Sequence, residues 1–159
     1  MIKRAFPRFA PFAVILILSA VASAEESLPS LVKRVKPAVV AIATYDATGE
    51  ALMTGSGFFL KPGQVVTNLH VIRGATRAEI KTLDGKGKVF PVTGTLAVDE
   101  EGDLALLNVD MPLERARTSE LATELPDEGE TIFVIGNPLK LEGSVCDGIV
   151  SAVREVPNS

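Results

Sequence analysis

The sequence holds a single histidine, His70, in the β-rich run Val65-Val66-Thr67-Asn68-Leu69-His70-Val71-Ile72. Imidazole exchanges a proton near neutral pH, so this residue is the first place to look for acid–base chemistry. Asp103 follows later, in Gly102-Asp103-Leu104-Ala105-Leu106-Leu107. Taken singly, each has a plainer reading. A histidine flanked by apolar residues is usually structural, and a carboxylate after Asp99-Glu100-Glu101 can be the solvated head of a strand or a turn former. Together they fit acyl transfer, which needs an imidazole base and a buried carboxylate that fixes its tautomer and stabilises the imidazolium. The two need not be close in sequence. Both must sit at strand ends facing one cleft, and His70 after one strand with Asp103 before another meets that requirement.

The elements that would carry these residues are strands. Thirteen glycines and ten prolines in 159 residues are many for a helix bundle and suit short strands joined by turns. Strand candidates are Ala38–Tyr45, Ala51–Leu60, Gln64–Thr67, Ala78–Leu83, Val89–Val98 and Leu104–Val109, with turns at Asp46–Glu50, Lys61-Pro62-Gly63 and Asp84-Gly85-Lys86-Gly87. Six such strands within residues 38–110 predict a small antiparallel barrel. Ahead of it, Ser27–Lys36 reads as one short helix with Leu28, Leu31, Val32 and Val35 on one face, ended by Pro37, so 25–37 is a lead-in. Residues 111–129, polar and containing Pro112 and Pro126, read as a connector. Residues 130–159 offer two more strands, Thr131–Ile135 and Ser144–Val153, around a Gly136-Asn137-Pro138 turn.

Residues 1–24 read as a segment apart from the fold. Lys3, Arg4 and Arg8 precede an uncharged run from Phe9 to Ala24 that closes in Ala22-Ser23-Ala24, the layout of a secretory signal peptide. The run is shorter than the ~20 residues a membrane-crossing helix needs. The expected product is exported, to the periplasm or beyond, and meets the membrane only during export. The whole chain is acidic, with 16 Lys and Arg against 20 Asp and Glu, which argues against a general nucleic-acid binder. One cysteine excludes an internal disulfide framework, and one histidine excludes a His-rich metal centre, so neither metal nor cofactor is expected. Cys146, unpaired in an oxidising compartment, is expected to be buried or incidental. Arg73, Arg77, Lys81, Lys86 and Lys88 read as solvated strand faces.

Five segments occur in a telling order: Gly55-Ser56-Gly57-Phe58-Phe59, Val66-Thr67-Asn68-Leu69-His70-Val71-Ile72, Asp103-Leu104-Ala105-Leu106-Leu107, Ile135-Gly136-Asn137-Pro138 and Gly148-Ile149-Val150-Ser151-Ala152. In this order they resemble the trypsin-like serine peptidases of the HtrA/DegP type, over roughly Leu28 to Arg154. The resemblance implies an all-β fold, a trypsin-like double β-barrel whose first barrel is complete and whose second is truncated. It implies His70 as general base, Asp103 as its orienting carboxylate, and polypeptides, unfolded proteins among them, as substrates.

The family's nucleophile lies in a Gly-x-Ser-Gly block beyond the Gly-Ile-Val-Ser-Ala strand, and no such block occurs through Ser159. Ser56 does not fit the Gly-x-Ser-x-Gly pattern and by resemblance belongs to an early barrel strand whose small residues permit close packing. Ser144 is a formal candidate. Cys146 would be a competent nucleophile beside His70, yet by resemblance it is a strand residue entering the second barrel. Ser159 is the last residue of the sequence. The residues after Ala24 also fall short of the ~200–250 that two barrels usually need. The expectation is therefore the N-terminal portion of an exported serine endopeptidase, carrying the histidine and aspartate without the serine. The alternatives are a non-catalytic homologue that binds peptides through an open strand edge and a non-functional remnant.

Overall fold

A computed structural model of the chain describes residues 26–136 and 143–154. The expected signal peptide, Ser159 and the Asn137-Pro138 part of the expected turn lie outside the described residues. Helix α1, Leu28–Val35, starts with Pro29 in its first turn, where a missing N–H costs nothing. It stops one residue earlier than expected. Pro37 cannot extend the α-helical ladder, and the chain tightens into a 3-10 turn over Lys36–Ala38.

Six strands then close a barrel in the order β1-β2-β3-β6-β5-β4. They are β1 (Val39–Tyr45), β2 (Ala51–Lys61), β3 (Gln64–Asn68), β4 (Arg77–Thr82), β5 (Val89–Asp99) and β6 (Leu104–Val109), all paired antiparallel. The strand ends move by at most one residue from those expected. Alternation along each strand sends one row inward, where Val40, Ile42, Phe59, Val65, Ile80, Ala105, Leu107 and Val109 form a single core. Val71 and Met111 close it at its margins. Thr44 and Thr67 are buried as well, and each hydroxyl is satisfied: Thr44 donates to the Met53 carbonyl at 3.1 Å and Thr67 to the Ser56 carbonyl at 2.8 Å.

Strand β5 behaves differently along its length. Its start pairs with β4 through Val89, Phe90 and Pro91, but from Val92 to Asp99 it pairs with β6 alone, with irregularities near Gly94 and between Thr95 and Ala97. Residues Thr93–Asp99 are exposed. Asp103 lies in the turn that joins β5 to β6.

Past a second 3-10 turn, Leu113–Arg115, strands β7 (Thr131–Gly136) and β8 (Ser144–Ile149) form a two-stranded antiparallel sheet. Strand β8 ends before Val153, its expected limit. Its partner β7 begins at Thr131 opposite Ile149, and the next residue, Val150, exchanges hydrogen bonds with the Gly129–Glu130 turn instead. The sheet touches the barrel through Ile135, which packs on Val39, Ala41 and Leu83. The Lys36 Nζ also donates to the Gly143 carbonyl at 3.1 Å. Strand β1 is thereby covered on both faces. Cys146, expected to be buried or incidental, is exposed, because among the described residues β7 alone flanks its strand. No helix among the described residues is long and apolar enough to cross a membrane.

The closed core carries the stability. Leu107→Ala leaves a cavity at a residue 1% exposed and is expected to cost about 2–5 kcal/mol in chemical denaturation. Leu125→Ala, at a residue 80% exposed, is expected to stay within about 0.5 kcal/mol. Equal effects at both positions would contradict this placement of the core.

Candidate active site

The approach of His70 to Asp103 follows from strand register. In the β3–β6 ladder Thr67 faces Ala105 and Asn68 faces Leu104. Continued one step, the ladder sets Leu69 opposite Asp103, and the Leu69 N–H donates to the Asp103 carbonyl at 3.0 Å. His70 comes next, within a single helical turn, α2 (Leu69–Ile72). His70 was expected after a strand, and this short helix occupies that place. At four residues it has no room for a helical repeat of apolar positions and depends on its neighbours to form.

Those neighbours are specific. Val71 of α2 is buried against β2 in the space left by Gly55, where an added Cβ would lie 2.7 Å from Val71 Cγ2. Gly57, two residues on, admits β3, since a Cβ there would meet the Val66 carbonyl oxygen at 2.6 Å. The small residues of Gly55-Ser56-Gly57 thus seat the turn that carries His70.

Asp103 completes the arrangement. It is the one non-glycine residue at positive φ, 50°, among the described residues. This left-handed conformation is one that aspartate tolerates better than most L-residues. It presents both carboxylate oxygens to His70. Oδ2 stands 2.6 Å from Nδ1 of the ring, and Oδ1 accepts the His70 backbone N–H at 2.9 Å. A carboxylate can only accept, so this contact favours the tautomer with its proton on Nδ1 and turns Nε2 to the far side of the ring. The hydrogen bond from the His70 ring, followed by that from the His70 N–H, holds the Asp103 carboxyl below its ordinary value.

The carboxylate is more open than acyl-transfer chemistry led us to expect. The side chains of His70 and Asp103 are 59% and 42% exposed. A hydrogen-bonded pair this exposed contributes little to stability. Its value lies in orientation. A shallow groove of about 190 Å³ runs alongside, lined by Asn68 and Leu104 at the site end and by Val39, Phe58 and Ile135 further out.

The other candidate nucleophiles sit on other strands. Ser56 lies in β2 opposite Ala41 and is half-buried. Ser144 opens β8 opposite Gly136, and Cys146 faces Val134 in the same sheet. Sequence reasoning missed two contributors, Asn68 and the pair Gly55–Val71. No signal in the sequence marks Asn68, because the four residues of α2 show no periodicity of their own.

Known proteins resemble the chain in sequence and in fold. Residues 55–159 match the trypsin-like peptidase domain family. The chain is 39% identical over 115 residues to the probable periplasmic serine endoprotease DegP-like of Hahella chejuensis, covering 69% of this chain and 23% of that protein. It is 33% identical over 133 residues to the chloroplastic protease Do-like 1 of Arabidopsis thaliana, covering 82% of this chain and 30% of that one. The crystal structure of the serine endoprotease from Yersinia pestis superposes with a TM-score of 0.69 at 28% identity, over 80% of this chain and 45% of that chain. The closed barrel and small second sheet are therefore the double-barrel architecture of trypsin-like peptidases, the second barrel represented by two strands. The chain belongs to the trypsin-like peptidase family, and within it to the HtrA/DegP type.

The depressed Asp103 carboxyl has a pH signature. A group more acidic in the fold than in the unfolded chain lends its full stabilisation above the unfolded value and loses it as pH falls through the folded one. The melting-temperature difference between the native chain and Asp103→Asn is expected to shrink as pH falls below the ordinary aspartate value of 3.8. A difference independent of pH across that range would contradict the assignment.

Proposed function

We propose that these residues form the front part of an exported HtrA-type serine endopeptidase in which His70 is the general base and Asp103 its orienting carboxylate. The observation that carries the reading is the double hold of Asp103 on His70, one oxygen on the ring and one on the backbone N–H. A serine hydroxyl placed at Nε2 would transfer its proton there as its oxygen attacks a peptide carbonyl. The imidazolium so formed faces an ionised Asp103 and hands the proton to the leaving amine. Water then repeats the cycle on the acyl-enzyme and returns the serine.

The nucleophile in this reading is a serine of a Gly-x-Ser-Gly segment, which does not occur within residues 1–159. The chain spans 23% and 30% of the Hahella and Arabidopsis relatives. We assign residues 38–110 to the first barrel, 111–129 to the connector and 130–159 to the start of the second. The substrates are polypeptides held extended in the groove beside Asn68 and Leu104. Residues 1–24 act as the export signal, a reading supported by their layout and by the periplasmic name of the Hahella relative.

A chain extended with the remainder of the Hahella peptidase domain is expected to hydrolyse an unfolded protein and to react with a fluorophosphonate probe. His70→Ala in that chain is expected to lower kcat by about 10⁴-fold or more, and Asp103→Asn by about 10⁴-fold. Unchanged hydrolysis in His70→Ala would overturn the assignment. So would a covalent probe adduct on the 159-residue chain itself, which would return Ser56 and Ser144 to consideration. Expressed in a Gram-negative host, the chain is expected in the periplasm with Glu25 as its first residue. Retention in the cytoplasm with Met1 intact would remove the export assignment.

A further inference from the structure

Asn68 directly precedes α2, the position from which an asparagine side chain ordinarily accepts an N–H of its own helix. It makes no such cap. The leading N–H groups of α2 are satisfied from another strand instead, Leu69 by the Asp103 carbonyl at 3.0 Å and His70 by Asp103 Oδ1 at 2.9 Å. Asp103 therefore caps the turn that carries His70. The Asn68 side chain, released from that duty, donates its Nδ2 amide to the same Asp103 carbonyl at 3.2 Å.

That carbonyl accordingly receives two donors, one from the strand ladder and one from a side chain outside it. A single donor leaves the peptide free to rock about one hydrogen bond, whereas a second from a different direction fixes its rotation. The orientation matters because Asp103 stands at φ 50°, where Cβ crowds the neighbouring carbonyl and only surrounding contacts hold an L-residue. We propose that Asn68 is a positioning residue whose amide locks the Asp103 peptide in the left-handed turn that directs one carboxylate oxygen to the His70 ring and the other to the His70 N–H. Its effect on hydrolysis rests on the function proposed above; the positioning itself does not.

The test uses the full 159-residue chain, whose one histidine makes the imidazole signals unambiguous. Two quantities are read by NMR: hydrogen exchange of the His70 amide and the His70 Nδ1–H resonance. Asn68→Ala removes the donor. Asn68→Asp keeps the shape but sets an acceptor against the Asp103 carbonyl. Leu107→Ala loosens the barrel core without touching the site.

The Asn68→Ala chain is expected to exchange the His70 amide about tenfold faster than native and to broaden the Nδ1–H line. Asn68→Asp is expected to do so at least as strongly. Leu107→Ala, compared at equal distance below its melting temperature, is expected to leave the Nδ1–H line unchanged. Native exchange and line shape in both Asn68 variants would overturn the proposal, as would the same broadening in Leu107→Ala. The readout needs no nucleophile, so its failure leaves the proteolytic reading untouched, and failed hydrolysis in the extended chain leaves this result standing.

Discussion

The alignment of β3 against β6 sets both the core and the site. Val65 and Leu107 face each other inside the barrel, as do Thr67 and Ala105, and two steps further the same ladder delivers Leu69 to Asp103. A slip of one residue would turn this inward row to solvent, at the cost of several buried side chains. The residues that seal the barrel thereby decide where the strand ends meet. The backbone pairing of β3 with β6, rather than the attraction of the exposed pair itself, is what brings His70 to Asp103.

Around that junction the chain resolves several local difficulties at once. The one-turn helix α2 is too short to satisfy its own N–H groups, and Asp103 supplies acceptors for two of them. Asp103 pays for this with a left-handed backbone, which donors from Leu69 and Asn68 hold in place. Gly55 opens the space in which Val71 anchors the far side of the turn. Each contact is modest. Their agreement on one geometry pre-orients an imidazole, which is the part of acid–base catalysis a protein scaffold can prepare before a substrate arrives.

Much of this was legible in the sequence. The barrel strands read as β-rich runs bounded by turns of Gly, Pro and Asp, and their ends followed to within one residue. The pairing of His70 with Asp103 was readable as residue types at strand ends. Features set by tertiary contact were not. Four residues of α2 offer no periodicity, so His70 read only as a residue following a strand. The exposure of Asp103 was not legible either, because local sequence does not show what packs over a turn. Strand β8 read as longer than it is, because Val150 is apolar and β-branched yet turns to bond Gly129 and Glu130. Cys146 read as buried or incidental because the sequence does not show which strands flank β8.

The central claim is that a carboxylate delivered by strand register holds one face of a lone imidazole. A ¹H–¹⁵N spectrum of the His70 ring in the full chain at neutral pH tests it most directly. The account requires a neutral ring protonated at Nδ1, or a charged ring, with its Nδ1 proton shifted downfield and lost in Asp103→Asn. A neutral ring protonated at Nε2, unaffected by Asp103→Asn, would contradict it.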